Sequence, residues 1–530
     1  MADGVRDSVQ DGGRDGSGEG GRARRGRGGG GARRRAERST TRTETAAVIA
    51  REIGPLDLLS SEALERIEAA AEVVLEEIGV SFPDNPGALA RWRAAGADVR
   101  EERVHLPRGL ARTLCATAPA RFTQAARNPA KSVEIGGDTL VLAPVYGPPF
   151  ILDLEGRRRY ATLSDFHDLV KLGQMTPWLH HSGGTVCEPT DVPANKRHLD
   201  MLLAHMTLSD KPFMGSVTEP ERARHSVEMC QILFGADRVP GETVMTSLIN
   251  INSPLTFDAT MMGALEVYAE AKQACILSPF IVGGAMSPVT PAGTLVQVLA
   301  EVTAAIAYAQ LVRPGAPVIF GAFVTSIDMN SGAPTFGTPE ASQVIYGAGQ
   351  LARRLGVPFR SGGAFTGAKI PDAQAGYETA NSLNTGLLAG VNFMLHAAGW
   401  LEGGLVVSPE KFVMDADQLG ALHRLARRPA HDDTALALDA LREVGPGGHF
   451  LGCAHTQAHF KDAFWRSSVL DYRPFETWED AGRPDTRTLA ADRVRAALAS
   501  YEAPPLDEGV REALDAYIAR RKGAVSDAFG

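Results

Sequence analysis

A repeated strand–helix alternation from about residue 162 predicts an α/β protein, a (β/α)8 TIM barrel with an N-terminal α+β extension and C-terminal helices. Three observations carry this. Seven apolar runs of strand length are each separated by ten or more residues of helical pattern, as in parallel strands joined by crossover helices. Helix-start signals with Pro in the first turn recur after several of these runs. No glycine-rich phosphate fingerprint follows a first strand, which argues against a doubly wound sheet. Composition agrees: 44% hydrophobic and 6% aromatic residues, with 56 glycines among 530 residues, suit closely packed helix–strand repeats.

Residues 1–45 carry nine Arg between Arg22 and Arg42, set in Gly and Ser with almost no large apolar residues, and read as a disordered tail. Residues 46–160 form the extension. Ser60-Ser61-Glu62 opens a helix whose Leu64, Ile67, Ala71, Val74 and Leu75 recur at helical spacing up to about Ile78, before Gly79. Gly136-Gly137-Asp138 between two apolar runs predicts a hairpin over 133–142.

The barrel core spans 161–430. Helix 164–174, with Ser164 as cap, precedes strand 178–186. Strand 212–217 runs into Thr218-Glu219-Pro220-Glu221, a capping box with Pro inside the first turn. Strand 244–251 ends at Asn252-Ser253-Pro254, before helix 257–273. Strand 276–283 leads to Thr290-Pro291, and strand 317–325 to Thr338-Pro339-Glu340, both cap-then-Pro starts. Strand 358–364 precedes helix 372–389, and strand 391–396 follows. The eighth strand is sought near 404–407 or 449–453. Residues 431–530 read as helices that complete or flank the barrel.

The net charge of −9 and the absence of any nucleic-acid module speak against a nucleic-acid partner. Arg24-Arg25 lacks a following apolar region, a poor export signal, and no run approaches ~18 uninterrupted apolar residues. Five scattered cysteines without a C-x-x-C fit reduced thiols in the cytoplasm. The oligomeric state is left open, self-association included.

In a barrel, function lies in the loops after strand C-termini. Those loops hold His180, His181 and Glu188; Asn250 and Asn252; the run Thr366 to Glu378; and His396 with Trp400. Ile251-Asn-Ser-Pro-Leu255, Gly283-Gly-Ala-Met-Ser-Pro-Val-Thr-Pro291, Lys369-Ile-Pro-Asp-Ala-Gln-Ala-Gly-Tyr-Glu378 and Gly448-His-Phe-Leu-Gly452 together resemble the trimethylamine methyltransferase family over about residues 55–500. The resemblance implies a barrel that delivers a substrate methyl group to cob(I)alamin on a separate corrinoid protein docked at its mouth, so that this chain holds no tight cofactor of its own. Trimethylamine members carry pyrrolysine just before the Lys369–Glu378 run. Here Thr366-Gly367-Ala368 stand there, so the chain resembles the non-pyrrolysine branch, a resemblance that implies quaternary amines such as glycine betaine as substrates.

The leaving-group chemistry points the same way. A quaternary ammonium loses methyl to give a neutral tertiary amine, whereas neutral trimethylamine would have to release an amide anion. A site of ordinary side chains therefore suits a permanently cationic nitrogen, which it has mainly to orient. Tyr377, Trp400 and Glu378 are candidates to hold the cation. Arg360, Lys369 or a helix N-terminus would hold a betaine carboxylate, and Gln374, Asn250 and Asn252 are further candidates to bind substrate. His396 would face the corrin or order the substrate, and Asp372 would orient Lys369 or His396.

Plainer readings stand beside these. Asp372 fits a helix N-cap, Gln374 and Glu378 solvated helix positions, Tyr377 and Trp400 packing, His396 a core histidine, and the two asparagines turn positions. His180-His181 point to opposite faces of a strand, and His455/His459 lack a completing ligand, so no metal is expected. The rival functions are trimethylamine-type demethylation without pyrrolysine, a hydrolase or lyase using His396 and Asp372, and a non-catalytic betaine-binding or scaffold barrel.

Overall fold

Seven parallel strands form a curled sheet in the order Thr139–Leu142, Phe393–Leu395, Phe359–Gly362, Val318–Gly321, Ala274–Val282, Met245–Ile251 and Phe213–Met214. This is the arrangement in a computed structural model that describes residues 46–529; the expected Arg-rich tail lies outside them. Six of the seven expected strands fall where the apolar runs place them, and Phe323–Ile327 extends the pairing along Phe280–Val282.

The strand without a place in the sequence is Thr139–Leu142. It makes no hairpin ladder with Val133–Gly136, which pairs instead with Arg121–Gln124. Gly136 and Gly137, at φ 125° and 58°, turn the chain out of that small sheet, and the Thr139 hydroxyl donates to the carbonyls of Glu134 and Gly136 across the turn. Thr139–Leu142 then lies parallel to Phe393–Leu395, with Val141 opposite Phe393. The segment before residue 160 thus contributes to the main sheet. Val406–Val407, one of the two places expected for this strand, belongs to a separate four-stranded sheet beside Phe150–Leu152. The other, Phe450–Gly452, is a 3-10 turn.

Residues 178–186 are not a regular strand, because Gly183 at φ 90° interrupts the extended run. They still bond to both ends of the sheet. The His180 and His181 amides donate to the Leu142 carbonyl (3.0 and 3.2 Å), Ser182 donates to Pro212 (2.8 Å), and Met214 donates to Gly183 (2.9 Å). Buried Lys211 anchors the start of this segment. Its ammonium donates to the carbonyls of Gly173, Thr176 and Leu179, each at 2.8 Å.

Helix starts follow the capping chemistry with three corrections, one being that Thr338 precedes Pro339–Leu355 without a side-chain cap bond and instead bonds the Ser326 hydroxyl at 3.0 Å. Thr162, not Ser164, caps Leu163–Met175, with Asp165 completing a capping box. Pro220–Phe234 begins at Glu219 with no side-chain cap, and the Thr218 hydroxyl instead accepts from Arg222. The most apolar helix, Pro291–Val312, has the length and hydropathy to cross a membrane, but 83% of its most apolar window is packed inside the protein.

Six of the parallel strands share one apolar cluster through Val141, Met214, Leu248, Ile276, Ile319 and Phe393. Val133, Ile135 and Phe122 of the Arg121–Gln124/Val133–Gly136 pair join it. Ile276, Ile319 and Phe393 lie in the N-terminal halves of their strands, whose C-terminal ends carry other side chains.

Five buried histidines, His180, His181, His205, His396 and His423, are held below their ordinary pKa, in each case chiefly by burial; His205 and His423 sit at about 4. The unfolded chain therefore takes up protons that the folded chain refuses once pH falls below the free-histidine value, and stability must fall with pH there. Each such group adds a slope of up to ~1.4 kcal/mol per pH unit. Urea melts should show stability dropping between pH 6.5 and about 4, and a flat profile over that range would contradict the burial.

Candidate active site

The side chains beyond the apolar cluster, at the C-terminal ends of the strands, are largely aromatic. The rings of His396 and Trp400 meet edge to face with centroids 4.5 Å apart. Phe365 lies 5.0 Å from Trp400 and 5.4 Å from His396, and Phe323 lies 5.7 and 5.5 Å from the same two rings. Phe323 stacks on Phe365 at 4.8 Å, Phe336 lies beside Phe365 and Trp400, and Phe280 reaches Phe323 at 4.8 Å. Phe280, Phe323 and Tyr146 are only half-buried and form the open edge.

Local backbone choices make this cluster possible. Gly362 is required because a Cβ there would lie 1.6 Å from the Phe365 ring. His396, at φ 60°, leaves the strand geometry of Phe393–Leu395 and swings its ring toward Tyr146, whose amide donates to Nδ1 at 3.2 Å. That bond puts the proton of the neutral ring on Nε2. Burial, followed by the nearby Arg360 guanidinium, pushes the His396 pKa well down, so the ring is uncharged at neutral pH. Trp400 follows Gly399, whose amide donates to buried Asp415 at 2.9 Å. Asp415 pairs with Lys411, which also donates to Thr379 at 2.8 Å. Burial raises the Asp415 carboxyl to about 6 against the pull of Lys411.

Arg360 lies in the same region. Its side chain crosses the intervening strand at Gly321, and Nη1 donates to the Ser278 hydroxyl at 3.1 Å. A Cβ on Gly321 would sit 2.4 Å from that of Ser278. The guanidinium carbon is 5.6 Å from the centre of the Phe323 ring.

The conspicuous Lys369–Glu378 run has a different job. The Glu378 carboxylate accepts from the Thr366 hydroxyl (2.5 Å), the Gly367 amide (2.7 Å) and Gln374 (2.9 Å). It pins the loop that carries Phe365. Asp372 is the N-cap of Ala373–Leu388, accepting from Ala375 at 3.1 Å, and orients neither Lys369 nor His396. Lys369 is exposed and donates to the Gly367 carbonyl. Gln374 is exposed, and Tyr377 is 76% exposed, so neither joins the rings. Asn250 ends its strand exposed, while Asn252 bonds Asp258 within a turn. That Ile251–Leu255 turn is held by buried Glu301, which accepts from Ser253 (2.8 Å) and the Leu255 amide (2.7 Å).

The histidines set aside as ligands are committed elsewhere: His180 Nδ1 accepts from the Leu142 amide and His181 Nδ1 from the Gly183 amide. Among the described residues no three His, Cys, Asp or Glu side chains gather to hold a metal. The structure thus joins His396, Trp400 and Arg360, and leaves the other expected site residues outside the cluster. Sequence reasoning passed over Phe280, Phe323, Phe336, Phe365, Tyr146 and Ser278. Phenylalanines in apolar runs read as core, and only their position at strand ends marked them.

A family model described as trimethylamine methyltransferase (MTTB) matches residues 27–526. The chain belongs to this family. It is 42% identical over 472 residues to the glycine betaine methyltransferase of Desulfitobacterium hafniense (strain Y51), covering 89% of this chain and 98% of that one. It is 26% identical over 473 residues to the trimethylamine methyltransferase of Methanosarcina barkeri, covering 87% and 94%. The crystal structure of the Methanosarcina barkeri monomethylamine methyltransferase aligns with a TM-score of 0.47 at 11% identity, over 92% of this chain and 97% of that one.

Two substitutions separate loop support from simple capping in this enzyme. Glu378→Ala should lower kcat/KM for methyl transfer at least ~10-fold, because Phe365 loses its anchored loop. Asp372→Ala should cost about 1 kcal/mol in a denaturant melt and leave kcat/KM within about threefold, since only a cap is lost. A larger kinetic loss at Asp372 than at Glu378 would reverse these assignments.

Proposed function

We propose that this enzyme transfers a methyl group from a quaternary methylamine of the glycine betaine kind to the cob(I)alamin of a partner corrinoid protein. The observation that carries the reading is the ring cluster of Phe323, Phe336, Phe365, His396 and Trp400 at the strand C-termini. Aromatic faces stabilise a cation that cannot be deprotonated by ~0.5–2 kcal/mol each, and a neutral His396 adds no repulsion. The likeness to the glycine betaine methyltransferase at 42% identity supports the substrate class.

In the reaction the C–N electron pair stays on nitrogen, which departs as a neutral tertiary amine. The methyl carbon takes its new pair from the reduced acceptor. No side chain has to donate or remove a proton, which fits a site whose histidine is buried and neutral. The protein's contribution is to fix the N–CH3 bond toward the open edge and to exclude water. His396 Nε2–H is a donor able to orient the substrate.

Closure of the sheet into a (β/α)8 barrel, with 180–183 as the remaining stave, is supported by the bonds from Leu142 through His180–Gly183 to Met214. The acceptor would approach the strand C-termini, where Val289 (73% exposed), Met329 (81%) and Ile370 (48%) present apolar side chains from successive loops and Tyr377 from the helix Ala373–Leu388. Five buried, unpaired cysteines suit the cytoplasm.

The test is to incubate the purified chain with free cob(I)alamin and a panel of betaines, choline and trimethylamine, and follow the methylcobalamin spectrum. Methylation by a quaternary amine is expected, with KM raised about tenfold by Phe323→Ala or Trp400→Ala. Methylation by trimethylamine alone would favour tertiary-amine demethylation. Binding without methylation would make the chain a sensor, and products formed without cobalamin would make it a hydrolase or lyase.

A further inference from the structure

We propose that residues 427–464 form an association arm that pairs with a second copy of this chain. This surface is separate from the methyl-transfer site and does not depend on which amine is the donor.

The arm leaves the body where the helix Pro409–Leu425 ends, and returns at Trp465, whose ring lies beside Gly420 of that helix. Among the described residues, its hydrogen bonds to the rest of the chain are confined to these two roots. The Arg428 amide donates to Glu52 at 2.8 Å, Arg424 donates to the carbonyls of Asp462 and Ala463 at 3.5 and 3.2 Å, and Arg466 donates to that of Phe460 at 3.3 Å. Between the roots lie the short helices Asp433–Leu436, Leu438–Val444 and Ala454–His459. All three are below the length at which a helix holds in water by itself. From 431 to 464 only Ala440 and Cys453 are buried. Ordering such a segment costs about 1–2 kcal/mol per residue in backbone entropy, and the arm has almost no core of its own to offset it.

What it has is apolar surface. Leu436, Leu438, Leu441, Leu451, Phe460 and Phe464 are each at least half exposed, Leu451 and Phe464 at 83% and 79%. With Leu425 at the root and Phe450, they present roughly 800 Å² of apolar side chain. That exceeds the largest patch usual on a monomer and equals about what each partner brings to a stable interface. The Gly448–Gly452 motif falls here. It supports no part of the ring cluster, and its turn Phe450–Gly452 lifts Leu451 into solvent.

Three observations name the occupant. The first is position. The Ala426 carbonyl accepts from the Glu52 amide, and the adjacent Arg51 bonds the carbonyls of Gly137 and Gly390, which precede the strands Thr139–Leu142 and Phe393–Leu395. The arm is therefore rooted at the N-terminal ends of the strands, opposite the mouth that the methyl acceptor would use. The second is charge. Four basic and five acidic side chains are interspersed over 427–464, a balance that can complement itself across a two-fold axis and suits neither a polyanion nor an anionic membrane. The third concerns residues 1–45. They join the body at Ala46, whose amide donates to Pro177 next to Trp178, the ring that packs on His423. They are within reach of the arm, but nine Arg with almost no large apolar residues cannot fill an apolar surface.

Sedimentation velocity of the full chain tests this, beside the double variants Leu451→Glu/Phe464→Glu in the arm and Met329→Glu/Ile370→Glu at the mouth. The unaltered chain should sediment as a dimer at micromolar concentration. The arm variant should raise the dissociation constant at least ~100-fold, and the mouth variant less than about threefold. Hydrogen exchange over 436–464 in the unaltered chain, which needs no substitution, should slow as concentration rises through that constant. A monomer at every concentration, or a dimer that the arm charges leave intact, would overturn the proposal. So would a monomer whose arm is protected from exchange until residues 1–45 are removed, which would assign the surface to this chain's own N-terminal segment.

Discussion

In a curled parallel sheet each strand has only two or three positions on the concave face, and neighbouring strands must divide that face in the same way. Here the division runs along the strands. Val141, Met214, Leu248, Ile276, Ile319 and Phe393 fill one level with apolar volume, closed from below by Val133, Ile135 and Phe122. Ser278, Phe280, Phe323, Arg360 and His396 occupy the level above, where the chain turns out to its helices. Because the lower level is close-packed, the upper level is built on a rigid floor. Every polar group there must be satisfied by a neighbour at the same height or by a ligand.

The charge balance of that upper level is unusual. Its one full charge is a cation, its histidine is kept neutral by burial and by that cation, and its walls are hydrocarbon rings. Quaternary nitrogen would lie against quadrupoles rather than against a carboxylate, so substrate charge is stabilised without an ion pair that would have to be broken on release. The anionic groups lie behind the site. Glu378 holds the Phe365 loop, and Asp415 with Lys411 holds the turn before Trp400. Carboxylates so placed shape the rings while keeping negative charge out of the cluster.

Much of this was legible in the residues, and the failures have physical causes. Long apolar runs such as Met245–Ile251 and Ala274–Val282 announce buried parallel strands, and Thr290-Pro291 announces a helix start. Thr139–Leu142 was hidden because Gly136-Gly137-Asp138 imitates a hairpin turn, while its true partner, Phe393–Leu395, is remote in the chain. The Lys369–Glu378 run drew attention by its polarity, yet its polar groups serve a cap and a loop. The aromatic wall carried no such flag, because a phenylalanine at a strand end is written like one at a strand centre. Arg360 was visible as an arginine in an apolar strand, but its reach across to Ser278 appears only when the neighbours on every side are known.

The register between Tyr146 and His396, residues 250 apart, has a consequence for biosynthesis. The first parallel strand emerges from the ribosome long before the strand that covers its open edge, so the growing polypeptide must carry an unpaired β edge through nearly half of its translation. Ile49–Ala50, already made and bonded antiparallel along Thr139–Leu142, is positioned to shield that strand's flank. Late closure of this kind imposes slow maturation and exposes nascent molecules to aggregation, a burden that chaperones would have to relieve.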